Sequence, residues 1–334
     1  MHIIINRTDS IGDVVLTLPL AGLLKEKYPD ASISFLGKSY TQPVINLSQH
    51  VDNFLNWDEF ENLNPLERVK YLFELKADWI IHVFPNKKLC RDAKRAGIKN
   101  RVGTSHRIYH WTTCNRLVSF TRKKSDLHEA QLNCKLLSPL GIAVPDLKDI
   151  HTYYGFRQPN EGLEKVKSLL NSKRKNIVLH PKSKGSAREW GLNNFEKLIQ
   201  LLPTEKYKIF ISGTSAEGEL MADLLKKYKQ KIEDLTGKLN LNEFITFLSN
   251  ADAIIAASTG PLHIAAALGT LAIGIYPPIK PMHPGRWAPL GINTEVLVQE
   301  ISECDDCRKT MDCHCIREIT PQQVADKVKK LLID

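Results

Sequence analysis

The sequence predicts an α/β protein built from two Rossmann-like domains. Two observations carry that expectation. Apolar strand-like runs alternate with amphipathic helical stretches along the whole chain, the pattern of βαβ units and parallel sheets. The alternation also restarts after the polar stretch 152–160, which holds Gly155 and Pro159. The linker is placed there, giving a first domain over 1–155 and a second over 160–334 whose last helix could pack back on the first. A length of 334 residues agrees with two cores rather than one.

In the first half, strands are expected at 3–6, 32–36 and 79–84, with a short one at 54–57, and helices at 20–28 and 65–76 between them. In the second half, strands are expected at 177–180, 208–212, 253–257, 272–276 and 295–298. Helices fall at 194–202, 217–228, 242–249 and 261–268, and a last one at 321–332 follows a cysteine-rich segment. Two polar turns interrupt this pattern. Arg7-Thr8-Asp9-Ser10-Ile11-Gly12-Asp13 follows the apolar run His2-Ile3-Ile4-Ile5, and Ser258-Thr259-Gly260-Pro261-Leu262-His263 follows the strand-like 252–257. Each reads as strand, tight turn, helix start, the place where open α/β sheets bind ligands. A cleft lined from both halves is the simplest way to use both. Two-domain dehydrogenases and periplasmic binding proteins share such halves, but no Gly-x-Gly-x-x-Gly follows the first strand.

A hydrophobic content of 43% and a charged content of 25% are those of a globular protein. No apolar stretch reaches the length of a transmembrane helix, and the start lacks a signal peptide's apolar core. A cytoplasmic location is therefore expected. The odd count of 7 cysteines argues against full disulfide pairing. The net charge of +9 is concentrated in the window 87–124, where Lys87, Lys88, Arg91, Lys94, Arg95, Lys99, Arg101, Arg107, Arg116, Arg122, Lys123 and Lys124 face one acid, Asp92. Such a field attracts phosphates on nucleic acid, lipid head groups or an acidic substrate; the alternative is a solvated face that aids solubility.

The run Arg7-x-Asp9-Ser10-Ile11-Gly12-Asp13-Val14-Val15-Leu16-Thr17-Leu18-Pro19 resembles the opening of glycosyltransferase family 9, the ADP-heptose:lipopolysaccharide heptosyltransferases. The resemblance continues through His128-Glu129-Ala130-Gln131-Leu132-Asn133, through His180-Pro181-Lys182-Ser183 to Arg188-Glu189-Trp190, and through Ser258-Thr259-Gly260-Pro261-Leu262-His263. It implies the GT-B architecture, two Rossmann-like domains facing across a cleft. It also implies an inverting transfer of heptose from ADP-heptose to a lipopolysaccharide inner-core acceptor; the loop cations Lys182, Lys184 and Arg188 could replace a metal, so metal-independent chemistry is expected. The partners would be a nucleotide-sugar donor, a phosphorylated lipid-linked saccharide and, peripherally, the inner face of the inner membrane; no cofactor is required and no nucleic acid is expected.

Such a reaction needs a base for the attacking hydroxyl and a site for the departing diphosphate. Asp13 is the candidate base, as the resemblance implies, although it equally suits the N-cap of a helix beginning at Val14. Asp9 is expected to pair with Arg7 and hold the turn. Thr259-Gly260 ahead of Pro261 is a helix start that can bind phosphate through free N–H groups. Lys182, Ser183, Lys184 and Arg188 add hydroxyl and cations; Lys182 and Lys184 could instead be solvated, and Arg188 stands where the family places a basic residue. Glu217 could bond donor hydroxyls or cap its own helix. Gly237 and Leu239 resemble the base-binding segment. His263 matches a family histidine but also suits a satisfied core residue. Ser258 departs from the family's common Asp and leaves the transferred sugar open. On the acceptor side the candidates are Ser10, Gly12 and the pair Arg91 and Arg95, four apart on one helix face.

Cys304, Cys307, Cys313 and Cys315 could supply a structural zinc site, remain free thiols or form disulfides. Cys90, Cys114 and Cys134 read as isolated thiols. The competing function classes are the same chemistry with another nucleotide sugar or acceptor, a non-catalytic sugar-nucleotide binder, and a nucleic-acid binder. The last leaves Asp13 and the Thr259-Gly260 turn unexplained.

Overall fold

The computed structural model describes residues 1–280, 282–300 and 313–332. The chain forms two compact units, Met1–Arg157 and Gln158–Asp334. Each carries a six-stranded parallel sheet. In the first unit the strands are β1 (His2–Asn6), β2 (Ser32–Gly37), β3 (Asn53–Asn56), β4 (Trp79–His82), β5 (Asn100–Thr104) and β6 (Arg116–Val118), in the order β3-β2-β1-β4-β5-β6. In the second they are β7 (Lys175–His180), β8 (Tyr207–Ile211), β9 (Ile232–Asp234), β10 (Ala253–Ala257), β11 (Leu271–Tyr276) and β12 (Thr294–Val298), in the order β12-β11-β10-β7-β8-β9.

Counted from its own first strand, the second order is the first read backward. Both sheets are therefore doubly wound in the order 3-2-1-4-5-6, and each reverses direction between its first and fourth strands. That reversal falls between β1 and β4 in one unit and between β7 and β10 in the other. The carboxyl ends of strands at such a reversal splay their loops apart and leave a crevice. Register places Asn6 between Leu36 and His82, and Ala256 between Gly274 and His180. The central strands are apolar runs because both faces are covered: Ile3, Ile4, Ile5, Ile254 and Ile255 have no exposed surface.

Several expectations are corrected. The polar strands β5 and β6 lie in the basic window, and β9 is short; none showed an apolar run. The helical stretch 217–228 is two helices, Ser215–Leu220 and Ala222–Lys227. The first helix spans Ile11–Val15, with Ser10 as its N-cap, so Asp13 sits in its first turn and does not cap a helix at Val14. The last helix, Pro321–Leu332, packs along Leu192–Leu201 in the second unit's own core. Val324 and Val328 join Phe195 and Leu198 there, and the Trp190 indole donates to the Ile319 carbonyl at 2.7 Å. Among the described residues, no helix is long and apolar enough to cross a membrane.

Candidate active site

In the first unit the site grows from the turn after β1. Arg7, 4% exposed, reaches three carboxylates. Its Nε donates to Asp9 Oδ1 at 2.7 Å, one terminal nitrogen to Asp13 Oδ1, and the other to Glu129 Oε1 at 3.4 Å. Burial works against the Arg7 charge, but Asp13, Asp9 and Glu129 outweigh it and raise its pKa. The pairing of Asp9 with Arg7 is as expected; the reach to Asp13 and Glu129 is new.

Glu129 also accepts from Arg122 Nε at 2.8 Å, and Arg122 donates to Asn133 Oδ1 at 2.7 Å. The Asn133 amide returns to the Leu16 carbonyl at 3.1 Å and to Thr17 Oγ1 at 3.2 Å, and Thr17 donates to the Asp13 carbonyl at 2.8 Å. Helix Glu129–Cys134 thus fixes the Asp13 turn from behind. Ser10 is an N-cap whose side chain makes no capping bond; its hydroxyl donates to Asp13 Oδ2. Each Asp13 oxygen is held by one donor, and the side chain keeps 18% of its surface open. Gly12 is half-buried in the same turn. Burial raises the Asp9 carboxyl to about 6, opposed by Arg7 and reinforced by Asp13.

The loop after β4 leads into helix Lys87–Arg95, capped by Asn86 Oδ1, which accepts from the Leu89 N–H at 3.0 Å. Asp92 is buried and takes Arg68 Nε at 2.6 Å, so it does not neutralise the exposed cations. Arg91 and Arg95 do share one face: with Lys87, Lys88, Pro65, Arg68 and Asp92 they line a cavity of about 360 Å³.

In the second unit, the predicted donor residues leave the carboxyl edges of β7, β8 and β10, around its own reversal point. After β7, Lys182 pairs with Glu189 at 2.5 Å, and the Ser183 N–H and Oγ donate to Glu189 Oε1 at 3.0 and 3.2 Å. Glu189 therefore occupies two groups assigned to the donor, and sequence reasoning missed it although it stands in the quoted motif. Lys184 is exposed and held at φ 48°, while Arg188 is 6% exposed. His180 ends β7 with Nδ1 at 3.0 Å from Ser212 Oγ; burial lowers its pKa to about 4.

After β8, Glu217 closes a capping box, accepting from Thr214 N–H at 2.7 Å and Thr214 Oγ1 at 3.0 Å. The helix-capping alternative is thus realised. Gly237, at φ 67°, bonds the Gly213 carbonyl at 3.0 Å, and a Cβ there would strike Ser215 Oγ. Leu239 is half-buried nearby in sequence. After β10, Ser258 is half-buried, and the nearby Tyr276 hydroxyl donates to the Trp287 carbonyl at 2.6 Å. Thr259 is the N-cap of helix Gly260–Leu268, with Gly260 and Pro261 as its first residues. Its Oγ1 is buried, makes no capping bond and has no hydrogen-bond partner among the described residues. His263 is 2% exposed inside that helix.

Cys304 and Cys307 lie outside the described residues. Cys313 and Cys315 are buried in the second unit's core. Cys90 and Cys114 are not isolated: with His82 they bring three donor atoms within 4.8 Å of one another.

Two doubly wound, six-stranded parallel sheets in one chain match the GT-B fold. The chain belongs to glycosyltransferase family 9 (heptosyltransferase), whose model matches residues 92–316. Among its relatives is a Haemophilus influenzae protein described no further than as a glycosyltransferase, 27% identical over 86% of each chain. A second is lipooligosaccharide heptosyltransferase 2 of the same organism, 23% identical over 99% of each chain. The solved structure of Escherichia coli ADP-heptose lps heptosyltransferase II has the same fold, with a TM-score of 0.77 at 19% identity, covering 100% of this chain and 99% of that one.

Proposed function

We propose that this glycosyltransferase is an inverting heptosyltransferase, moving heptose from ADP-heptose to a phosphorylated inner-core lipopolysaccharide acceptor with Asp13 as general base. The observation that carries it is the Asp13 carboxylate, fixed by Arg7 and Ser10 at the β1/β4 reversal yet still open to solvent. The acceptor hydroxyl gives its proton to Asp13 as its oxygen attacks the anomeric carbon. The bond from that carbon to the donor phosphate breaks, and the diphosphate leaves with its electron pair. A single displacement inverts the centre and needs no second carboxylate. General-base assistance of about 10²–10⁴-fold corresponds to roughly 3–5 kcal/mol.

The leaving diphosphate would be met by the N-terminus of helix Gly260–Leu268 and by Arg188. Free backbone N–H groups and the helix dipole favour an anion there, and the unpaired Thr259 hydroxyl supplies a further donor. The basic cavity beneath Arg91 and Arg95 would take the acceptor's phosphates, and the same face suits an anionic membrane surface. One observation favours a second reading, transfer of another sugar: Ser258 stands where many family members carry Asp.

Calorimetric titration with ADP, UDP, GDP and CDP, without metal and then with magnesium, tests the donor. Preferential ADP binding indifferent to magnesium supports ADP-heptose. Preference for another nucleotide moves the reading to another sugar, and absence of nucleotide binding contradicts it.

A further inference from the structure

We infer that His82, Cys90 and Cys114 form a structural zinc site in the first unit; His110, outside that cluster with its ring 6.2 Å from that of His82, would have to move in to complete a Cys2His2 set. His82 is the last residue of β4, Cys90 lies on helix Lys87–Arg95, and His110 and Cys114 belong to the connection between β5 and β6. These four side chains are 1%, 0%, 0% and 7% exposed, in the order His82, Cys90, His110, Cys114. One donor atom from each of His82, Cys90 and Cys114 falls within 4.8 Å of the other two. Zinc bonds to sulfur at ~2.3 Å and to nitrogen at ~2.0 Å in a tetrahedron, so donors around it lie about 3.5–3.8 Å apart. A contraction of about an ångström brings these three donors to zinc-ligand spacing.

Three ring nitrogens here lack a partner among the described residues. Both ring nitrogens of His82, and Nε2 of His110, are buried without a hydrogen bond among the described residues. A buried imidazole left so forfeits the desolvation energy of its N–H and its lone pair, about 1–3 kcal/mol each. A metal on one nitrogen recovers the lone-pair share. His110 Nδ1 lies 2.9 Å from the Thr104 carbonyl, which fixes the proton on Nδ1 and leaves the Nε2 lone pair without a partner among the described residues.

Local backbone also fits. A Cβ on Gly103 would stand 2.7 Å from His110 Nδ1 and 2.8 Å from Cys114 Sγ, so the bare β5 backbone leaves room for both side chains. Two thiolates would balance one Zn²⁺. Arg101, the nearby cation, is turned away to the Thr113 and Ile98 carbonyls.

The site has a mechanical purpose. It staples the cationic helix Lys87–Arg95 to β4 and to the β5–β6 connection, holding a like-charged surface together. It takes no part in the transfer chemistry.

The test uses untagged full-length protein, equilibrated with zinc, freed of excess and measured by elemental analysis. His82→Ala, Cys90→Ser and Cys114→Ser should each lose about one zinc per chain, while Cys304→Ser/Cys307→Ser keeps the first-unit metal. Unchanged zinc in the first three variants overturns the site. Because those variants could fail to fold, wild-type protein is also alkylated with and without zinc and mapped by mass spectrometry. Zinc should protect Cys90 and Cys114 until a chelator is added. Equal labelling in both states, or a Cys90–Cys114 disulfide in freshly prepared protein, contradicts the inference.

Discussion

Arg7 and Asp13 form an ion pair across the connection between β1 and the first helix, with the guanidinium 5% exposed and the carboxylate 18% exposed. The arginine is buried and the aspartate is not, so the pair positions a reactive group from beneath. Arg7 also answers Asp9 and Glu129, and its removal leaves all three carboxylates short of a partner.

Arg7→Met is therefore expected to cost about 3–5 kcal/mol of stability, the scale for breaking a buried pair from one side. Urea unfolding measures the loss. Nucleotide affinity, which the second unit supplies on this account, should survive wherever the protein stays folded.

Thr259→Val separates a binding role from a structural one. The Thr259 hydroxyl is buried without a partner among the described residues, so replacing it with an isosteric methyl should leave stability unchanged or slightly raised. If the hydroxyl meets the donor's phosphate, ADP affinity should fall roughly 10–100-fold, the worth of a hydrogen bond to a charged group. Paired calorimetry and thermal unfolding read both quantities. Lost stability with unchanged affinity would make Thr259 a packing residue.

Acid should destabilise the second unit through His180. Its folded pKa is lowered to about 4 from 6.5, so on acidification the unfolded chain binds the proton first. Stability is then full above 6.5 and falls as pH drops towards 4, by an amount of order 3 kcal/mol. His180→Asn should flatten that slope in urea midpoints taken across the window.

The cationic cavity gives a kinetic prediction. Arg91→Ala/Arg95→Ala should raise the acceptor's KM roughly tenfold at low salt, the sum of two exposed charge pairs. Turnover at saturating acceptor should hold. Raising ionic strength should shrink the difference between variant and wild type, because exposed charges are screened.

Much of the fold was legible because its central strands are covered on both faces. Ile3-Ile4-Ile5 and Ala253–Ala257 read as continuous apolar runs, and Pro321–Leu332 showed its boundaries through Pro321 and its apolar spacing. β5, β6 and β9 were not legible: Arg101, Arg116 and Glu233 belong to polar stretches whose pairing depends on neighbours. The site residues were visible as types on turns. Their partners were not, since Arg7 meets Glu129 across 122 positions and Asn133 meets Leu16 across 117. Local reading also took Cys90 and Cys114 as separate thiols, because only the β4–β5 pairing and the following connection bring them together with His82.

The most direct test of the central claim is transfer by Asp13→Asn alongside its ADP affinity. The amide keeps the shape and can still accept from Arg7 or Ser10, but it cannot take the acceptor's proton. Turnover should fall about 10²–10⁴-fold with ADP binding unchanged. Turnover within a few-fold of wild type, in a variant that folds and binds ADP, would contradict Asp13 as the general base.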